Sequence, residues 1–169
     1  MLIGLFGHSC TGKTTLAQEM AASLNLPLRG CGDVVKSKAM ELSVSLDRLP
    51  LSEHQTIDEA TREWGKRNPR GIVEGRYLDQ VLADLDVPLV LVEITAADRD
   101  RAERWARRRD VPVGDIQVAE YDRADEAFRA AAYTGVVRIE PSLTISTSGE
   151  TVDQCLKELV TFREKLKLG

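Results

Sequence analysis

Residues 7–15, Gly7-His8-Ser9-Cys10-Thr11-Gly12-Lys13-Thr14-Thr15, concentrate more reactive chemistry than any other stretch of this chain. Two glycines five positions apart, then a lysine and two hydroxyls, fit G-x-x-x-x-G-K-[ST] at every fixed position. Glycine lets the backbone turn without a Cβ clash, so successive N–H groups can point inward at phosphate oxygens. The apolar run Leu2–Phe6 precedes this loop, and Lys13–Leu24 follows with Leu16, Ala17, Met20, Ala21 and Leu24 on one helical face. The loop therefore joins a buried strand to a helix N-terminus, whose positive end favours an anion. A plain strand-to-helix turn explains neither the spacing nor a cation at the unfavourable end of a helix dipole.

The chemistry expected of residues 7–15 is that of an ATP-binding loop. Lys13 is expected to bridge the β- and γ-phosphates, the Thr14 hydroxyl to be one ligand of Mg²⁺, and Thr15 to lie near the α-phosphate. His8 and Cys10 occupy variable positions and read as fillers without a catalytic task of their own.

Such a loop needs a rigid frame. The pattern along the chain alternates short β-like runs with helical ones: strands at 2–6, 26–29, 71–74, 88–94 and 143–146, and helices at 13–24, 33–43, 53–66, 77–85, 98–109, 118–133 and near the end. That alternation implies a parallel sheet covered on both faces. Right-handed crossovers and a ligand at the switch in strand order give five parallel strands ordered 2-3-1-4-5, the loop at the carboxyl end of strand 1.

The 169 residues suffice for one domain, and no repeat or linker divides them. Charged residues make up 30% and hydrophobic ones 43%, ordinary globular values. The apolar run around residues 87–92 is far shorter than the roughly 20 residues of a bilayer span. No secretory leader pattern opens the sequence, so a cytoplasmic location is expected. The net charge of −4 offers no general attraction for nucleic acid or membrane. Cys10, Cys31 and Cys155 lie too far apart for a disulfide or zinc framework.

Three further stretches, Gly30-Cys31-Gly32-Asp33-Val34-Val35-Lys36, Gly71-Ile72-Val73-Glu74-Gly75-Arg76 and Ala102-Glu103-Arg104-Trp105-Ala106-Arg107-Arg108-Arg109, join the loop in a wider likeness. Together they resemble the cytidylate kinase family, particularly its shorter archaeal-type branch. The likeness covers nearly the whole chain, including the Ile57-Asp58 pair and the ending Thr144-Ile145-Ser146-Thr147-Ser148. It implies a P-loop NTPase fold with acceptor-binding helices at about 33–67 and a lid at about 110–133.

It also implies a monomeric enzyme that transfers phosphoryl from ATP to CMP or dCMP. By residue, Arg76 stands where the family binds the acceptor phosphate, and Asp33, Lys36, Asp58 and Arg62 complete the acceptor side. Physical reasoning agrees for Arg76: an arginine just past a strand's carboxyl end faces the ligand side of a parallel sheet, and its planar fork suits a phosphate. Glu74 could hold the water shell of Mg²⁺, or instead pair Arg76 or Lys13. Arg107 is expected near the donor base, with Arg108 and the lid residue Arg129 near the transferring group.

The chain departs from the family in two places. Lys36 replaces an arginine, keeping charge but losing the bidentate fork. The first lid arginine of the family falls on Asp122, with Arg123 one residue late. Two alternatives therefore stand beside a nucleoside-monophosphate kinase: a P-loop kinase for another small acceptor, and a nucleotide-binding regulatory protein without turnover. Nucleic-acid binding through the Arg-rich helix is disfavoured by its interleaved acids and by the 5% aromatic content.

Overall fold

A computed structural model of the chain describes residues 1–167. Its elements run β1 (Leu2–Phe6), α1 (Lys13–Leu24), β2 (Leu28–Gly30), α2 (Cys31–Glu41), α3 (Leu51–Arg67), β3 (Ile72–Glu74), α4 (Leu78–Val81), β4 (Leu89–Thr95), α5 (Asp98–Arg109), α6 (Val118–Ala132), β5 (Leu143–Ser146) and α7 (Val152–Lys167). The five strands form one parallel sheet ordered β2-β3-β1-β4-β5. The expected order and direction are those observed. This is the P-loop NTPase fold.

Every residue of β1 is buried, as a strand covered on both faces requires. One face carries Ile3 and Leu5 into a core with Leu16, Ala17 and Met20 of α1 and Cys155 and Leu159 of α7. The other carries Leu2 and Phe6 against Leu78, Val81 and Leu82 and, from the end of α6, Tyr133. Gly4 lies where α4 closes on the sheet, and a Cβ there would stand 2.7 Å from Leu91 and 3.5 Å from Leu82.

The elements differ from expectation mainly at their ends. β2 begins two residues later than the apolar pattern suggests: Leu28 is its first residue paired with β3, opposite Ile72, whose amide donates to the Pro27 carbonyl. α2 begins at Cys31 rather than Asp33, the extended Gly30 serving as its entry residue. The expected helix at 77–85 is only four residues long, α4. Its continuation is turns, Leu85 N–H to Leu82 and Val87 N–H to Leu85, which bring the chain to β4 in time for Leu89 to pair with Leu2.

Among the described residues no helix is long and apolar enough to cross a membrane.

Candidate functional site

Residues 7–15 leave β1 at the carboxyl edge of the sheet and enter α1 at Lys13. Gly7 has φ 134° and Gly12 φ 95°, both in the region that side chains rarely adopt. At Gly7 the demand is also steric: a Cβ would lie 2.3 Å from the Ile94 carbonyl oxygen of β4. Cys10, with φ 63°, is buried against Ala102, Trp105 and Ala106, so its side chain anchors the loop to α5.

The Lys13 ammonium donates to the His8 carbonyl at 2.5 Å and lies 3.4 Å from the Thr11 hydroxyl. Burial lowers its pKa to about 8, against the attraction of Glu74 and reinforced by the repulsion of Arg76. The Thr14 hydroxyl donates to Glu74 Oε2 at 3.3 Å. Burial pushes the Glu74 carboxyl above its ordinary range, with Lys13 and Thr14 opposing that shift. A hydroxyl and a carboxylate oxygen side by side at the loop are hard donors of the kind Mg²⁺ takes when phosphates and water supply the rest of its shell. The residues present fit that ion.

α5 grips the loop through two arginines that sequence reasoning passed over. Arg101, 3% exposed, donates from Nε to the Ser9 carbonyl at 3.1 Å and grips Asp122 of α6 with both terminal nitrogens at 2.8 and 2.5 Å. Arg104 donates to the Cys10 carbonyl at 3.2 Å, to the Thr147 hydroxyl at 2.8 Å and to the Thr147 carbonyl at 3.0 Å. That hydroxyl in turn donates to the Thr11 carbonyl at 2.8 Å. Arg101 was legible in principle, because it shares the stripe of Ala102, Trp105 and Ala106. Thr147 had no local signal, being 136 residues from Thr11. Arg107 and Arg108, expected at the donor base and the transferring group, are exposed on the last turn of α5.

Of the residues expected on the acceptor side, Arg76 lines a cleft with Gly7, His8, Tyr77, Asp125 and Arg129, whereas Asp33, Lys36, Asp58 and Arg62 are not part of its lining. Arg76 follows β3 and pairs with Asp125 of α6 at 2.5 Å. Arg129 pairs with buried Asp79 at 2.6 Å, while Asp79 Oδ1 and Arg129 Nε find no hydrogen-bond partner among the described residues. Asp58 accepts from the Tyr133 hydroxyl at 2.8 Å, and burial raises its pKa to about 6 against that bond and the nearby Arg62. Arg62 spends its Nε on the Val81 carbonyl at 2.7 Å, which ties α3 to α4. Asp33 and Lys36 form an exposed pair at 2.8 Å on α2. His54 of α3 meets Phe128 of α6 edge-on at 4.7 Å, and Phe128 stacks on Tyr77 at 5.5 Å. The segments expected to hold the acceptor and to form the lid thus touch one another.

The chain matches no established family profile. Among characterised proteins it is similar to a cytidylate kinase of Methanocella arvoryzae, 29% identical over 120 residues, 67% of this chain and 66% of that one. A cytidylate kinase of Methanosphaera stadtmanae is 30% identical over 118 residues, 65% of each chain. The matched region thus spans just under two thirds of either relative. Among solved structures, shikimate kinase from Aquifex aeolicus superposes with TM-score 0.67 at 18% identity, over 100% of this chain and 99% of that one. A gluconokinase from Sinorhizobium meliloti gives TM-score 0.62 at 16% identity, over 97% and 91%. Loop geometry, strand order and these likenesses converge: the chain resembles the archaeal cytidylate kinases in sequence and has the fold shared by small P-loop kinases.

Proposed function

We propose that the protein is an ATP-dependent kinase of the nucleoside-monophosphate type, with CMP or dCMP as acceptor and CDP or dCDP as product. The observation that carries this reading is the placement of Arg76 beside the loop, across one cleft from Gly7 and His8, where a planar fork can grip a phosphate. The sequence likeness to cytidylate kinases supports the choice of nucleotide.

In this reading the residues of the chain position and neutralise rather than form covalent intermediates. The loop amides and Lys13 hold the triphosphate, and Thr14 and Glu74 hold Mg²⁺, which when bound offsets phosphate charge. Arg76 and Lys36 hold the acceptor phosphate, with Asp58 and Arg62 completing the acceptor side. The contact of α6 with α3 excludes water, so ATP is spared idle hydrolysis. ATP and a small acceptor are then the only partners required, and such a protein works in the cytoplasm.

The shikimate and gluconate kinases of the same fold favour a second reading, phosphorylation of a small alcohol. One experiment separates the two: ADP release with ATP and Mg²⁺ against CMP, dCMP, UMP, AMP, GMP, shikimate and gluconate. The expected result is turnover with CMP or dCMP that Lys13→Ala lowers by on the order of 10²-fold or more. Turnover with an alcohol alone selects the second reading. ATP binding without transfer to any of them rejects both and leaves a regulatory protein.

A further inference from the structure

His8 occupies a variable position of the loop and was read from sequence as a filler, yet its ring is held. Nδ1 lies 3.2 Å from Oδ1 of Asp122, the only ionic or hydrogen-bonding partner of the ring among the described residues. Asp122 is itself fixed by the two-pronged grip of Arg101, which also donates to the carbonyl of the next loop residue, Ser9. With Nδ1 within ion-pair distance of a carboxylate, Nε2 is the ring nitrogen left for a ligand, and His8 lines the same cleft as Gly7 and Arg76. The ring is 43% exposed, so a ligand in the cleft can reach it.

The charges around it define what the ring can do. Facing it or its cleft are Asp122, Asp125, Glu126 and Arg129 from α6, Arg101 from α5, Arg76 beyond β3, Asp79 from α4, Glu93 from β4 and Arg138 beyond α6. Arg101 is fully engaged, and Arg76 is turned to Asp125. The remaining lid arginines are otherwise engaged: Arg129 lines the cleft but is held by Asp79, and Arg123 is exposed. Where the lid helix brings a residue to the loop, it brings Asp122, a carboxylate that suits an imidazolium. A carboxylate there would repel a phosphoryl group unless a cation offset it, and the ring that pairs with Asp122 is that of His8.

We propose that His8 is a catalytic residue: its imidazolium, held through Nδ1 by Asp122, donates an Nε2–H hydrogen bond to a non-bridging oxygen of the phosphoryl group in transfer. This rests on the nucleotide-kinase reading above. The acceptor phosphate oxygen forms the new bond to phosphorus as the bond from that phosphorus to the β,γ-bridging oxygen breaks. The electron pair of that bond leaves on ADP, and the ring keeps its proton throughout. A monophosphate oxygen is already a nucleophile without a proton to lose, so a donor rather than a base is what this acceptor calls for.

Two side chains separate this role from a structural tether. His8→Asn retains a group at the Nδ1 position for Asp122 but has nothing at Nε2. His8→Gln does the reverse. With CMP as acceptor, His8→Asn is expected to lower kcat on the order of 10²-fold, with KM for ATP within about threefold of wild type. His8→Gln should recover part of the loss. Near-normal kcat for His8→Asn, or a loss confined to His8→Gln, overturns the proposal and leaves His8 as a tether between loop and lid helix.

A second arm needs no acceptor. The chain has only two histidines, so ring ¹⁵N resonances are readily assigned. The His8 Nε2 resonance should shift when ADP, Mg²⁺ and aluminium fluoride are added to the intact protein, and shift much less with ADP and Mg²⁺ alone. An unmoved Nε2 resonance overturns the proposal. If wild type transfers phosphoryl to no nucleotide, the nucleotide-kinase reading falls, while this arm still decides whether His8 contacts the transferring group.

Discussion

The two sides of the cleft are built in opposite ways. On the proposed donor side nine consecutive residues, 7–15, carry the polar groups, and their shape follows from two glycine conformations, a buried lysine and the pull of α5. On the proposed acceptor side Asp58, Arg76, Asp125 and Arg129 come from three separate parts of the chain, and each already has a partner of the protein's own. A contiguous loop binds because its backbone can do little else. A scattered site binds only if a ligand competes successfully with internal ion pairs. Donor-side changes should therefore act on the loop itself, and acceptor-side changes should act by altering that competition.

The largest effect is expected at Gly7. Gly7→Ala places a methyl group on the Ile94 carbonyl and forces a side chain into φ 134°. The backbone of β4 cannot yield without breaking the sheet, so a loss of about 3 kcal/mol or more is expected. Thermal unfolding and ATP binding measured on the same sample check it. A variant that binds ATP normally at unchanged Tm would mean that the loop is far more plastic than its packing implies.

Next comes the pair Arg76 and Asp125. Arg76→Lys keeps the charge but not the fork, so acceptor KM should rise about tenfold while ATP affinity stays within about twofold. Asp125→Asn removes the internal competitor for Arg76 and should lower acceptor KM by a few-fold. Opposite signs for the two variants are the signature of competition. If both weaken the acceptor equally, the pair supports the fold instead.

The smallest effect concerns Asp58. Its folded-state pKa is raised from 3.8 to about 6, so the folded protein holds more protons than the unfolded chain between those values. The sign follows directly: this carboxyl makes stability fall as pH rises through that window, and the cost persists above it. Asp58→Asn keeps an acceptor for Tyr133 without the buried charge. It should stabilise the protein at pH 7.5 by about 1 kcal/mol, allowing for partial solvent screening, and flatten the Tm profile between pH 4 and 6. An unchanged profile would show that the carboxyl is well solvated.

Much of the donor side was open to a reader of the sequence. The strand, the loop spacing and the apolar stripe of α1 are local patterns, and the physics that shapes them acts over a few residues. Strand order was likewise within reach, because crossover handedness leaves few topologies for alternating strands and helices. The Arg-rich helix shows where such reasoning stops. Its boundaries and its buried face, Arg101 included, could be read, but not that Arg104 also holds the loop while Arg107 and Arg108 face solvent.

The amino-acid sequence by itself determined the phosphate loop, the alternating elements and the parallel sheet, because these depend on periodicity, glycine sterics and handedness. Only the tertiary structure decided that Arg129 answers to Asp79, that Arg76 is held by Asp125, and that Asp122 reaches across to His8 and Arg101. Each of those pairs joins residues 21 to 114 positions apart, and which opposite charge an arginine or a histidine meets is set by the docking of one helix on another. Residue type says that a charge needs a partner; only packing says which one it finds.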